Sequence, residues 1–191
     1  TYYTDVHINN VQITENSSVY GAGIYAESVT KTGFSPSVIT VFNAFIERNT
    51  ASQNGGGLYV DYNTNGCAKY TQDFGSISYN NAVNGGGVAT DATDTNVTEL
   101  SDLVIKNNTA SSNGGGVYVK TGRFVQLEDV IISKNKCSAS GDGAGIYSVG
   151  TVKLGGEIDV SDNYRENSAV QNNIFMNPNQ IVLNLIQYYQ Q

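Results

Sequence analysis

Residues 107–119 read NNTASSNGGGVYV, and the glycine string in this stretch decides the fold. Three consecutive glycines followed by a branched aliphatic residue and a tyrosine suit neither an ordinary helix nor a tight hairpin. The string recurs about every 30 residues, which indicates a repeat protein. Its copies are GAGIYA at 21–26, GGGLYV at 55–60, GGGVAT at 85–90, GGGVYV at 114–119, GAGIYS at 143–148 and a degenerate NNIFM at 172–176.

A second motif precedes each glycine string, an aliphatic residue followed three positions later by an asparagine. The pairs are Ile13/Asn16, Ile46/Asn49, Ile77/Asn80, Ile105/Asn108, Ile132/Asn135 and Val160/Asn163. Two residues after the asparagine comes a small residue, which is Ser18, Ala51, Ala82, Ala110 or Cys137. Arg165 breaks this pattern in the sixth copy, where NSA at 167–169 is expected to replace it after an insertion. Two motifs kept in phase along the chain cannot be chance.

Each repeat contains three short β-type segments, for example VYVKT, RFVQLED and VIISKN between residues 117 and 135. Glycine, asparagine and serine separate these segments, and no segment has a sustained helical period. A repeat of this kind predicts one coil of a parallel β-helix, in which each strand pairs with its equivalent ~4.8 Å away. We therefore expect an all-β fold, a single-stranded right-handed β-helix of about six coils with three strands each. Residues 1–191 would form one solenoid domain, either a piece of a longer solenoid or a stacking filament subunit.

The two motifs predict two structural columns. Every coil turns a corner at the same place, where a glycine can take a positive φ and lets stacked backbones approach each other. The corner glycines would be Gly23, Gly57, Gly87, Gly116 and Gly145. The asparagines would stack their amides in a hydrogen-bonded ladder, which buries Asn16 and Asn135 among the others. The small residue would fit inside the bend.

These motifs resemble the repeats of chlamydial polymorphic outer-membrane proteins and of related autotransporter-like β-helix proteins. Those repeats pair a GGA-aliphatic motif with FxxN, and here GGGVY or GAGIY accompanies IxxN. The resemblance spans about residues 11–176. It implies a right-handed β-helix that is exposed at a cell surface and serves adhesion or structure.

Alternation predicts an aromatic stripe on one outer face. The residues after the glycines, Ile24, Leu58, Val88, Val117, Ile146 and Ile174, point inward, as do those two positions later. The residues between them point outward, and they are Tyr25, Tyr59, Ala89, Tyr118, Tyr147 and Phe175. Either the rings cover their own sheet, or they form a docking face for a sugar or another protein.

Composition limits the classes of partner. The chain has 21 glycines, 13 tyrosines, 2 prolines and no tryptophan, a bias typical of extracellular β-proteins with many turns. Its net charge is −7, and the basic residues are scattered, which argues against a nucleic-acid partner. The longest apolar stretch, IVLNLI, is far too short to cross a membrane, so we expect no membrane insertion. We expect an extracellular or cell-surface location.

Sequons and cysteines give candidate modification sites. Asn96 is the first candidate for a glycan and Asn107 the second, whereas Asn16 and Asn135 would be occupied in the ladder. Cys137 stands in the small-residue position as a packed thiol. Cys67 follows a different corner, so a bridge between the two cysteines within one chain is not expected.

Catalytic chemistry has little support in the sequence. The densest acidic stretch contains Asp91, Asp94, Glu99 and Asp102 without a basic residue among them, and Asp142 would serve its turn. His7 is the only histidine, so neither a histidine-based triad nor a zinc site can be built, and we expect no metal and no cofactor. We expect a non-catalytic structural or adhesive protein. Candidate partners are copies of itself stacked end to end, other surface proteins, or glycans. The alternatives are a polysaccharide lyase or hydrolase and a carbohydrate-binding module.

Overall fold

The computed structural model describes residues 5–27, 38–63, 66–67, 69–92, 98–176 and 181–183. These residues form a parallel β-helix, and the described part of the chain contains strands, turns and bends but no helix. No segment of it is therefore a helix long and apolar enough to cross a membrane.

The first strands in chain order are β1 (Asp5–Thr14), β2 (Ser17–Ser18), β3 (Ile24–Ala26), β4 (Val38–Glu47), β5 (Thr50–Ala51), β6 (Leu58–Val60), β7 (Tyr62–Asn63), β8 (Gly66–Cys67), β9 (Lys69–Ser78), β10 (Asn81–Ala82), β11 (Val88–Thr90) and β12 (Thr98–Lys106). The remaining strands are β13 (Thr109–Ala110), β14 (Val117–Val119), β15 (Phe124–Glu128), β16 (Ile131–Ser133), β17 (Lys136–Cys137), β18 (Ile146–Ser148), β19 (Thr151–Gly155), β20 (Asp159–Ser161), β21 (Tyr164–Arg165), β22 (Ile174–Met176) and β23 (Ile181–Leu183).

Three parallel sheets run along the solenoid, as the sequence predicts. Sheet A has the order β1-β4-β9-β12-β15-β19-β23, and β16 and β20 extend it beside β12. Sheet B has the order β2-β5-β10-β13-β17-β21, and sheet C has the order β3-β6-β11-β14-β18-β22. A small antiparallel pair, β7 with β8, lies between the second and third coils. Sheets B and C each stack six strands, and from the first to the last of them the solenoid makes about five turns.

The core forms because equivalent residues of successive coils lie side by side. The aliphatic residue of the IxxN motif forms one such column, which is Ile13, Ile46, Ile77, Ile105, Ile132 and Val160. Sheet C adds the column of Ile24, Leu58, Val88, Val117, Ile146 and Ile174. The middle members of both columns are fully buried in one apolar cluster. Ile174 continues the column beside the buried Ile146, but it lies in the last described strand of sheet C and is 44% exposed there.

Left-handed backbone also repeats in columns. The residue before each ladder asparagine has φ between 54° and 61°, and these residues are Glu15, Arg48, Tyr79, Asn107, Lys134 and Asp162. In each glycine string the first glycine has the positive φ, namely Gly21, Gly55, Gly85, Gly114 and Gly143. The third glycine, which we expected to have it, instead provides the close approach. A Cβ on Gly116, for instance, would lie 2.6 Å from the carbonyl oxygen of Gly145 in the next coil.

Candidate functional site

The asparagine ladder is the most regular polar feature of the structure. In each step the backbone nitrogen and the side-chain Nδ2 of one asparagine both donate to Oδ1 of the next, at 2.9–3.1 Å. The Nδ2 atoms of the later members also donate to the carbonyl oxygen of the IxxN aliphatic residue one coil back, as Asn108 does to Ile77. The ladder runs through Asn16, Asn49, Asn80, Asn108, Asn135 and Asn163.

The members of the ladder differ in exposure. Asn49, Asn80, Asn108, Asn135 and Asn163 are fully buried. The prediction that Asn16 is buried is wrong, because Asn16 lies in the first coil and its side chain is exposed. The buried amides satisfy each other's hydrogen-bonding groups, so the ladder can hold polar groups in the interior without a ligand or a metal.

A second polar column, which the sequence reasoning missed, precedes the glycine strings. Asn84 Nδ2 donates to Asn54 Oδ1 at 3.1 Å, Asn113 N donates to Asn84 Oδ1 at 3.4 Å, and Asp142 N donates to Asn113 Oδ1 at 2.9 Å. The signal was present, because NGGG occurs in three copies and DGAG in a fourth. Asp142 also forms an ion pair with Arg165, so its carboxylate contacts a residue outside its own turn.

The aromatic stripe on sheet C is present, but its rings face one another. Tyr118, Tyr147 and Phe175 stack with centroid separations of 5.4 and 4.9 Å and ring planes within 6° of parallel. Stacking covers the ring faces that a sugar would need, and it leaves mainly edges toward solvent. The geometry therefore favours the interpretation that these rings cover their own sheet.

The tyrosines in the N-terminal half of the stripe also form hydrogen bonds through their hydroxyl groups. Tyr25 OH donates to Asp61 Oδ2 at 2.6 Å, and Tyr59 OH donates to Asp61 Oδ1 at 3.2 Å. Tyr59 lies beside Tyr25 in the predicted stripe, but the rings of Tyr20 and Tyr25 cover it and leave it 7% exposed. Burial, together with the Asp61 carboxylate, holds the pKa values of Tyr25 and Tyr59 above the usual value, so both hydroxyls stay protonated donors.

A more exposed aromatic cluster lies on sheet A, where we had not predicted a site. Phe42 and Phe74, together with Phe45 on the same strand as Phe42, are here called the phenylalanine cluster, and they are 42%, 45% and 39% exposed. Phe42 and Phe74 meet edge to face with their centroids 5.5 Å apart. Alternation along VFNAFIE could have revealed two of them, because Val41, Ala44 and Ile46 point inward. Phe74 escapes that pattern because it adopts a φ of 59°.

Two carboxylates of the acidic stretch, those of Asp91 and Glu99, have basic partners from outside the stretch. Lys120 Nζ donates to the nearly buried Asp91 carboxylate at 2.9 Å, and Arg123 Nε lies beside its other oxygen. Glu99 pairs with Lys69 at 3.3 Å. The partners come from neighbouring coils and are distant in sequence. Asp94 lies outside the described residues. Among the residues that are described, no group of three or more His, Cys, Asp or Glu side chains is placed to hold a metal ion.

The candidate modification sites lie in different environments. Asn107 is half-buried in the left-handed column, and Thr109 of its sequon is exposed. Asn96 lies outside the described residues. Cys137 is a buried free thiol, and burial raises its pKa to about 11. Arg165 itself pairs with Cys137 in sheet B, so NSA at 167–169 does not take the small-residue position.

Comparison with known families finds one match. Residues 102–120 match the Chlamydia polymorphic membrane protein (Chlamydia_PMP) repeat. This stretch contains one complete set of motifs, from Ile105 and Asn108 through the glycines to Val117 and Tyr118. The predicted resemblance is therefore confirmed at the level of the repeat. No significant match was found among curated proteins or among solved structures.

Proposed function

We propose that the chain is a non-catalytic structural or adhesive part of an extracellular surface protein, a segment of a β-helical stalk. The observation that carries this proposal is the unbroken ladder from Asn16 to Asn163 inside three continuous sheets. Such an array transmits load through backbone and amide hydrogen bonds in every coil. The surface location is supported by the repeat match at 102–120, whose family is named for chlamydial membrane proteins.

The adhesive contact is assigned to the phenylalanine cluster on sheet A. Exposed apolar groups that lie together mark interaction sites more often than singly scattered ones. Phe42 and Phe74 are in contact and Phe45 is exposed three residues further along the same strand, whereas the sheet C rings bury their faces in stacks. Other surface proteins are the class of partner that an apolar cluster suits best. Glycans bound through the sheet C stripe are the second candidate, supported by the partly exposed Tyr25 and Phe175.

Adhesion is tested with fluorescent beads coated with the chain and applied to cultured epithelial cells. We expect saturable binding that falls at least fivefold, on the scale of losing hot-spot contacts, when Phe42 and Phe45 are both replaced by serine. The matched control replaces Tyr25 and Phe175 by serine and should bind as the parent chain does. The adhesive assignment is wrong if the control loses binding and the Phe42/Phe45 variant keeps it, and that result would favour the glycan candidate.

The non-catalytic part of the proposal has its own test. The chain is incubated with a panel of acidic and neutral polysaccharides, with and without added calcium. New reducing ends would indicate a hydrolase, and new absorbance from unsaturated uronic acids would indicate a lyase. We expect neither signal above that of heat-denatured protein.

A further inference from the structure

The sixth coil differs from the others at the third position of its glycine string, which Asn173 occupies. A Cβ on Gly23, Gly57, Gly87 or Gly116 would lie 2.5–2.8 Å from the carbonyl oxygen of the third glycine in the next coil. It would also lie 2.9–3.1 Å from Nδ2 of the next coil's ladder asparagine. A Cβ on Gly145 would meet Asn173 O and Asn163 Nδ2 in the same way. Glycine is thus needed at this position where another coil follows, and in the sixth coil a side chain stands there.

The side chain of Asn173 replaces the next member of the ladder. Its Oδ1 accepts from both N and Nδ2 of Asn163 at 3.1 Å. In the preceding step, Asn163 Oδ1 accepts from N and Nδ2 of Asn135 at 3.0 and 2.9 Å. The pattern of donors is the same, but Asn173 comes from the same coil as Asn163 and not from a coil beyond it.

The backbone of the sixth coil also forms hydrogen bonds within its own coil at this end. In the earlier coils the carbonyl oxygen of the ladder asparagine accepts from the next coil, as Asn135 O does from Tyr164 N at 3.0 Å. Asn163 O instead accepts from Asn172 N at 2.7 Å, within its own coil. Gln171 also forms an antiparallel bridge with Tyr164, on the last strand of sheet B. The groups of Asn163 that would receive another coil are therefore already bonded.

We propose that residues 171–173 form an end cap that closes the asparagine ladder and sheet B and excludes a further coil in register at this edge. Unpaired strand edges template the addition of other chains, and proteins protect such edges by covering them. The occupant excluded here is above all a second copy of this chain, whose repeats have the matching register. Sheet A continues past the cap through β23, so the block acts on sheet B and on the ladder. The cap does not depend on the adhesive role proposed above.

The test is to restore the repeat by replacing Asn172 and Asn173 together with glycine, as in the GGG strings. Loss of the acceptor Asn173 Oδ1 should raise the hydrogen-exchange rate of the Asn163 backbone amide by about tenfold or more. The opened edge should make the apparent mass from light scattering rise with concentration more steeply than for the parent chain. Asn167→Gly is the matched control, since Asn167 is exposed in the same segment and has a φ of 58°, which glycine accepts.

Unchanged exchange at Asn163 together with unchanged association in the double variant would overturn the cap. If the double variant does not fold, the parent chain decides the question by itself. The cap requires the Asn172 amide to be protected from exchange, since it donates to Asn163 O. Exchange of that amide at the rate of an unstructured peptide would overturn the proposal.

Discussion

Replacing Asn108 by alanine should lower the free energy of unfolding by about 1.5–4.5 kcal/mol. The side chain of Asn108 is fully buried and takes part in four hydrogen bonds. Its Nδ2 donates to Ile77 O at 2.9 Å and to Asn135 Oδ1 at 3.0 Å. Its Oδ1 accepts from Asn80 N at 2.9 Å and from Asn80 Nδ2 at 3.1 Å.

The magnitude follows from the groups that lose a partner. Asn135 Oδ1 keeps its bond from Asn108 N, and Asn80 Nδ2 keeps its bond to Ile46 O. Asn80 N loses its partner, whereas Ile77 O keeps the bond from Lys106 N that the parallel register of β9 and β12 provides. A buried polar group left unsatisfied costs about 1–3 kcal/mol and the loss of one further hydrogen bond about 0.5–1.5 kcal/mol, which together give the range stated. This is a large share of the 5–15 kcal/mol that is typical of a domain.

The assay is urea unfolding followed by far-ultraviolet circular dichroism, with Asn16→Ala as the matched control. Asn16 belongs to the same column, but it is exposed, and its side chain donates one bond to Asn49 Oδ1 at 2.9 Å. Its loss should cost about 0.5–1.5 kcal/mol. Equal costs for the two variants, or a cost below about 1 kcal/mol for Asn108→Ala, would show that the ladder does not carry the stability assigned to it.

Three further predictions concern packing and ionisation. Gly116→Ala places a Cβ 2.6 Å from Gly145 O and should lower the free energy of unfolding by about 3 kcal/mol or more. Gly122 has open space around it but a φ of 69°, so Gly122→Ala should lower the free energy of unfolding by only about 1 kcal/mol. Calorimetry that ranks the two variants the other way would contradict the stacking geometry. Burial raises the pKa of Tyr70, so unfolded Tyr70 ionises near pH 10 while the folded residue stays neutral. The contribution of Tyr70 to stability should therefore be constant below about pH 10 and fall above it. The decline should be shallower in Tyr70→Phe, by up to about 1.4 kcal/mol per pH unit, and identical slopes would contradict the burial of this hydroxyl. Burial raises the pKa of the Cys137 thiol to about 11, so little thiolate is present at pH 8. In a Cys67→Ser background, Cys137 should therefore react with a disulfide reagent at pH 8 at least ~100-fold more slowly in the folded protein than in urea. Comparable rates would mean that the thiol is accessible.

The repeat made the fold predictable because periodicity is a property of the sequence itself. Ile13/Asn16 through Val160/Asn163 and the glycine strings fixed which residues lie beside each other, and the observed pairing of Ile46 with Ile77 follows that phase. The positive φ was assigned to the wrong glycine because sequence alone does not separate a turn position from a position of close approach. The handedness of the solenoid remains a prediction.

Contacts between coils were harder to predict because the repeat is not exact. Asp91 meets Lys120 and Arg123 across a coil boundary, and no motif marks this pair. Tyr59 is buried by Tyr20, which lies outside the repeating stripe. Phe74 has a left-handed backbone that Asn43 and Asp102 share in the neighbouring coils, and the departure is that a bulky residue type, which disfavours this backbone, stands there. Each of these features depends on one coil's departure from the consensus.

The most direct test of the stacked coils is a pair of distances between spin labels in the left-handed column. Glu15, Lys134 and Asp162 are exposed members of that column, and labels are attached in a Cys67→Ser, Cys137→Ala background. Lys134 lies four coils from Glu15 and Asp162 lies five, so strand spacing predicts separations of about 19 and 24 Å. Two narrow distributions that differ by about 5 Å are the expected result. Equal distances, or separations that exceed these values by more than the length of the labels, would mean that the coils are not stacked in register.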